Sequence, residues 1–216
     1  MDVLHPQLRS YKETGRQWPV LVWRAGEPLR TIASAPHGGG LGLRRWVINA
    51  QVPSSYSRRD PDHHLRKLGV SCGLPGRGVG MLTAADVRSV RCEADGGVSV
   101  AATVGLGHPT WAAAPAVAGS VPVVGTINLV VFVPECLSEA ALVNAVGTAT
   151  EAKAQALWEL GVSATGTASD AACIACPDTG RPALFAGPRS QWGARLARAV
   201  HAAVLEGARD AARSGG

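Results

Sequence analysis

Residues 127–133 form an almost unbroken apolar run rich in β-branched side chains, the pattern of a strand buried on both faces. Pro134 ends it, because proline has no N–H for a ladder. Ser138 then offers an N-cap oxygen and Glu139 a first-turn charge that suits the helix dipole. Leu142, Val143, Val146, Leu157 and Leu160 recur at helical spacing, with Ala141, Ala145, Ala149, Ala152 and Ala156 between them. Gly161 supplies a left-handed stop. A Gly/Ser/Thr loop runs to Asp170, and residues 171–176 read as a second buried strand. The stretch 125–177 is therefore strand, long helix, polar loop, strand, and the rest of the chain is arranged around it.

Upstream, residues 20–23 and 30–35 read as two short strands leading into the flexible turn His37-Gly38-Gly39-Gly40. Residues 46–52 form a further strand with Asn49 in an otherwise apolar run. Asp60-Pro61 opens a helix, Asp as N-cap and Pro at its first position, which Gly69 ends. Residues 79–85 and 87–93 read as strands, and Asp95-Gly96-Gly97 turns the latter into the strand 98–106, a hairpin. Residues 112–124 are an uncharged loop. Ser190 caps a last helix whose inner stripe is Leu196, Val200 and Val204. This pattern predicts one α/β (α+β) domain over residues 1–216, a buried mixed sheet packed against long helices. Residues 1–15 and 208–216 are expected to be flexible.

Composition narrows the class. With 46% hydrophobic and 17% charged residues the chain is globular. The net charge of +5 comes from scattered arginines without interleaved aromatics, so no nucleic-acid partner is expected. No run approaches a membrane span and residues 1–13 lack a signal-peptide core, so the sequence reads as a soluble cytoplasmic protein with no membrane partner. Five cysteines fit reduced thiols, and the Cys173/Cys176 pair, inside an apolar strand, reads as core. Homo-oligomer formation is left open.

The segments GVGMLTAADV, VGLGHP, the run from Gly125 to Gly161, GTASDAACIACP and AGPRSQWGARLARAV, with the earlier NAQVPSSYSRRD, closely resemble the adenosylcobinamide amidohydrolase family. The likeness covers roughly residues 30–205, and TATEAKA at residues 148–154 together with GTASDA at residues 166–171 is specific in combination. It implies hydrolysis of the amide between a corrin side-chain carboxyl and aminopropanol, giving adenosylcobyric acid for cobalamin salvage. It also implies a small-molecule corrinoid partner whose cobalt enters with the substrate, with no cofactor of the protein's own. A Gly-Thr before an apolar strand, a long helix and a Gly/Thr/Ser loop with Asp170 also resemble ornithine acetyltransferases and related β-aminopeptidases, a likeness that implies a domain layered as theirs is. Those enzymes place a Thr or Ser nucleophile at this junction and often free its amine by self-cleavage.

Cleaving an unactivated amide needs a nucleophile, a proton donor for the amine and donors for the oxyanion. Thr126, rigid at the start of a buried strand, is the preferred nucleophile; the alternative is an ordinary β-branched strand residue. The chain reads as continuous, so self-cleavage is not expected, which leaves Glu151, Lys153 or Asp170 as base or orienter. Glu151 and Lys153 are two apart on a helix and point to different sides, whereas Thr150 and Lys153 share a face. Asp170 reads equally well as a turn cap. Asn49, Tyr56, Thr83, Asn128 and Thr150 are candidate substrate contacts, since a substrate with many side amides suits Asn, Thr and apolar walls; Trp46 and Trp111 are candidates to pack on the ring. Two rival readings remain. One is a metal-dependent amidase using Asp60, Asp62, His63 and His64, although adjacent histidines project about 100° apart on a helix and no metal set is expected. The other is a corrinoid-binding protein without catalysis.

Overall fold

The computed structural model describes residues 1–13, 15–115 and 125–214. Its core is an eight-stranded mixed sheet of β1 (Gln7–Glu13), β2 (Arg16–Ala33), β3 (Gly40–Gln51), β4 (Gly78–Thr83), β5 (Arg91–Asp95), β6 (Val98–Gly105), β8 (Thr126–Phe132) and β10 (Ala171–Pro177). The strand order is β4-β3-β2-β10-β8-β6-β5, with β1 added beside the first half of β2. β7 (Pro109–Thr110) and β9 (Gly166–Thr167) form a separate two-stranded ribbon. The helices are α1 (Pro61–Ser71), α2 (Glu139–Glu159) and α3 (Gln191–Ser214). Among the described residues, no helix is long and apolar enough to cross a membrane.

The expected mixed α/β domain is present, and its organising unit is β8-α2-β10. The two strands pair in parallel, Ala171 opposite Asn128 through Ala175 opposite Phe132. Parallel neighbours need a crossover, which α2 supplies. Its start follows the sequence closely: the Ser138 hydroxyl accepts a hydrogen bond from the Ala141 amide at 3.1 Å. Ala141, Ala145, Ala149, Ala152 and Ala156 are all buried, so the helix lies close to Ile127, Leu129, Val131, Ala172 and Ile174 on one sheet face. α3 packs beside it through Leu196, Val200 and Val204, and the Ser190 hydroxyl accepts from the Gly193 amide. The opposite face collects Val130, Ala171, Cys173 and Ala101 together with Leu21, Trp23, Val47, Val79 and Met81 from the far strands. The sheet therefore curls so that its two ends share one core.

Four local expectations change. Residues 16–33 make one strand, not two, because β3 pairs with both halves; the register shifts between Arg24 and Leu29, where Pro28 can offer no ladder N–H. That shift gives the first half to β1 and the second to β10. Asp60 makes no side-chain cap to α1, since its carboxylate accepts from the Arg58 guanidinium instead. α1 continues past Gly69, which is there for packing: a Cβ would come within 2.8 Å of the Trp46 ring. Residues Val87–Ser89 form a short 3-10 turn capped by Asp86 before β5 begins. The β5–β6 hairpin turns on Gly96 and Gly97 at φ +52° and +93°, as the sequence predicts. Of the loop 112–124, residues 116–124 lie outside the described residues. The two chain ends expected to be flexible include β1 and the last turns of α3.

Ile174 sits at the centre of β10, fully buried under α2. Ile174→Ala is expected to lower unfolding stability by about 2–5 kcal/mol, read from the midpoint of urea denaturation at unchanged slope.

Candidate active site

The C-terminal end of the Gly/Ser/Thr loop meets the first residue of β8. Asp170, the residue before β10, directs its carboxylate into that junction. One oxygen accepts from the Ile127 amide at 2.8 Å and faces the Thr167 hydroxyl; the other accepts from the Thr167 amide at 3.1 Å and from the Lys153 ammonium. The Lys153 and Asp170 side chains are only 10% and 16% exposed. Strand, turn and helix are thus tied together by one carboxylate. Gly166 makes room for this: a Cβ there would lie 2.3 Å from the Asp170 oxygen and 2.4 Å from the Lys153 nitrogen.

Two backbone amides and the Lys153 ammonium all donate to this carboxylate, so it anchors the junction. Thr126, buried at the strand's first position, meets a different partner. Its hydroxyl lies 2.7 Å from the Ser169 hydroxyl. Ser169 in turn donates to the Gly125 carbonyl at 2.9 Å, and the Thr167 hydroxyl reaches the same carbonyl at 2.7 Å. Since Ser169 has one hydrogen and gives it to Gly125, Thr126 is left as the donor to Ser169.

These groups open on a cavity of about 400 Å³. Thr126, Ser169 and Asp170 form one wall; Pro36, Val52, Pro53, Leu82 and Ala84 give the apolar lining, and Tyr56 and Thr83 add polar groups. A larger cleft of about 740 Å³ runs between Leu106 and the end of α3, and none of the Thr126, Ser169 or Asp170 groups lines it. The smaller cavity is the candidate site because the Thr126 and Ser169 hydroxyl residues both line it.

The other sequence candidates divide sharply. Tyr56 lines the cavity and its hydroxyl is 2.9 Å from His64 Nδ1; burial raises its pKa. Thr83 lines it too, accepting from the Ala85 amide at 3.0 Å. Asn49 and Asn128 lie beneath. The Asn128 amide donates to Asn49 Oδ1 and to the Leu82 carbonyl, each at 2.9 Å, and Asn49 donates to Thr103. This network holds Leu82, a cavity wall, in place. Lys153 stands behind Asp170 and does not line the cavity. Glu151 and Thr150 are exposed on α2, away from it; Thr150 spends its hydroxyl on the Val146 carbonyl. Three residues apart on α2, Thr150 is exposed where Lys153 is buried, so only Lys153 reaches the junction. Trp46 is buried away from the cavity under His37, and Trp111 is half exposed.

The four residues of the suggested metal cluster point to four different partners. Asp60 binds Arg58, Asp62 binds His37 Nδ1, His63 faces Arg66, and His64 is buried between Tyr56 and Glu13. Among the described residues, no group of three or more His, Cys, Asp or Glu side chains is placed to share a metal ion. Cys173 and Cys176 are free buried thiols, burial pushing them up to about 12 and about 11, so neither is a ready nucleophile. Sequence reasoning passed over Ser169 and Thr167. Their signal was the T-x-S-D run itself, in which two hydroxyls directly precede the anchoring acid.

Asp170→Asn would leave the Lys153 ammonium buried without its counter-charge, and is expected to cost about 3–5 kcal/mol in urea unfolding. Adding Lys153→Met should recover most of that loss. A double variant as unstable as the sum of both singles would contradict direct coupling.

The adenosylcobinamide amidohydrolase of Methanosarcina mazei is 29% identical over 178 residues, which is 78% of this chain and 85% of that protein. The adenosylcobinamide amidohydrolase of Halobacterium salinarum is 38% identical over 122 residues, 54% of this chain and 51% of that protein. The family model described as adenosylcobinamide amidohydrolase matches residues 2–215. The chain belongs to this family of hydrolases.

Proposed function

We propose that this protein hydrolyses adenosylcobinamide at the amide joining a corrin side-chain carboxyl to aminopropanol, releasing adenosylcobyric acid and the amino alcohol for cobalamin salvage in the cytoplasm. The observation that carries the reading is the Thr126–Ser169 hydroxyl pair, 2.7 Å apart, facing a part-apolar cavity on a rigid support. The family and the names of its relatives supply the substrate class. A corrin ring with its axial groups is far larger than a cavity of about 400 Å³. The cavity suits the amide arm, with the ring outside.

On this reading Thr126 Oγ1 attacks the amide carbon, and its proton passes through the Ser169 hydroxyl to the departing amine nitrogen. The carbon–nitrogen bond breaks, leaving an ester on Thr126, and water then cleaves the ester to give the carboxylic acid and restore the hydroxyl. Asp170 and Lys153 act as positioning residues: they fix the start of β8 and the loop that carries Ser169, so the two hydroxyls meet without a search. Tyr56 and Thr83 contact the substrate arm. Asn49 and Asn128 act through Leu82. The cobalt belongs to the substrate, and the chemistry calls on no further cofactor.

Pure protein incubated with adenosylcobinamide should yield adenosylcobyric acid, seen by chromatography. Thr126→Ala should lower kcat at least about 1,000-fold and Ser169→Ala about 10- to 100-fold. Glu151→Gln and Thr150→Val, on the solvent face, should stay within about two-fold of the parent. Binding of the corrinoid with no turnover contradicts the reaction. Full activity of Thr126→Ala contradicts the nucleophile.

A further inference from the structure

Behind the Tyr56 wall of the cavity lies a buried polar chain that the hydrolytic step does not use. His64, 4% exposed, places Nδ1 2.9 Å from the Tyr56 hydroxyl and Nε2 3.3 Å from a Glu13 carboxylate oxygen. The ring is fixed on both sides. It stacks on Tyr56 with centroids 5.6 Å apart and meets the edge of Tyr11 at 6.0 Å. The other Glu13 oxygen accepts from Arg58 at 3.3 Å, and Arg58 also binds Asp60. β1, the loop before α1, and α1 itself thus converge on one imidazole.

We infer that Glu13 and His64 fix the proton of the Tyr56 phenol, so that Tyr56 presents an acceptor oxygen to the cavity and recognises a neutral N–H or O–H donor on the substrate. The proposal rests on the reading of this cavity as the substrate site. Its logic is one of counting hydrogens. A carboxylate oxygen 3.3 Å from Nε2 can only accept, which places the ring hydrogen on the nitrogen that faces it. A neutral imidazole then has its lone pair at Nδ1, and the only hydrogen available between Nδ1 and the phenol is the phenol's own. Tyr56 therefore donates backwards to His64 and turns lone pairs toward the cavity. An amide N–H or the hydroxyl of an amino alcohol satisfies that oxygen; a product carboxylate does not, which favours its release.

The charges around His64 pull in both directions. Desolvation on burial is the largest effect and, with Arg58, disfavours a second proton; Glu13 and Asp60 favour one. The net shift is downward from the ordinary histidine value, so the ring is neutral at pH 7. As pH falls through the depressed folded value, Nδ1 gains a proton and the phenol is forced to turn its hydrogen into the cavity. Substrate affinity should drop over that acid window and be constant above it.

Two measurements test this. A long-range proton–nitrogen spectrum of ligand-free, labelled protein at pH 7.5, with His64 assigned by the His64→Asn variant, should show hydrogen on Nε2 and none on Nδ1. Hydrogen on Nδ1, or on both nitrogens, overturns the proposal and does so whether or not the protein is an amidohydrolase. Adenosylcobinamide binding to the Thr126→Ala protein, followed by corrin absorbance, should weaken about 3- to 10-fold on adding Tyr56→Phe. Adding His64→Asn instead, whose side-chain oxygen can still accept the phenol hydrogen, should keep affinity within about two-fold and remove the acid limb, whereas His64→Leu should weaken binding as Tyr56→Phe does. Unchanged affinity in Tyr56→Phe overturns the recognition role. Failure of the Thr126→Ala protein to bind adenosylcobinamide at all contradicts the substrate, and the tautomer then decides the polarity of Tyr56 by itself.

Discussion

A single carboxylate holds the site together. Asp170 accepts from the backbone of β8, from the backbone of the turn before β10 and from the Lys153 ammonium on α2. An ion pair this buried adds little net stability, because desolvation offsets most of the attraction. Its worth is positional. Only when strand, turn and helix all reach the same two oxygens does the Ser169 hydroxyl come to lie against Thr126. Hydroxyls on a loose loop would sample many arrangements, whereas these are held by elements whose hydrophobic backs are already packed.

That packing explains the small residues of α2. Alanine at every inward position brings the helix axis close to β8 and β10, so a lysine side chain on the helix can reach an acid at the strand's mouth. Leucine at those positions would lift the helix and lengthen the ion pair. Gly166 obeys the same demand at the other end, where no Cβ fits between Asp170 and Lys153. The composition of the stretch, rich in Ala, Gly, Ser and Thr, is a record of close approach and not of weak structure.

The β8-α2-β10 unit was legible because its signals are local: an apolar run, a serine cap, a helical stripe and a second apolar run. Thr126, Lys153 and Asp170 could be singled out for the same reason, yet their relation could not. Lys153 and Asp170 are 17 residues apart and meet only when the crossover folds, and no spacing in the sequence announces their pairing. Ser169 escaped notice because a loop serine carries no period. Glu151 and Thr150 looked like neighbours of the site since helical spacing reports direction around an axis, not which side faces a cavity. In β2, Pro28 reads as a break, and only pairing with β3 along both halves shows one strand. The Glu13–His64–Tyr56 chain joins a strand, a helix and a loop, and no spacing in the sequence announces it.

In the proposed mechanism the Thr126 oxygen, presented by β8 and supported through Asp170, forms the bond to the substrate's carbonyl carbon. Rapid acid quench of protein mixed with adenosylcobinamide, followed by digestion and mass spectrometry, would catch that bond. A transient corrinoid acyl adduct on Thr126 is expected, disappearing as adenosylcobyric acid accumulates. Product formation with an adduct on Ser169, or with no adduct at any time in the turnover, would contradict it.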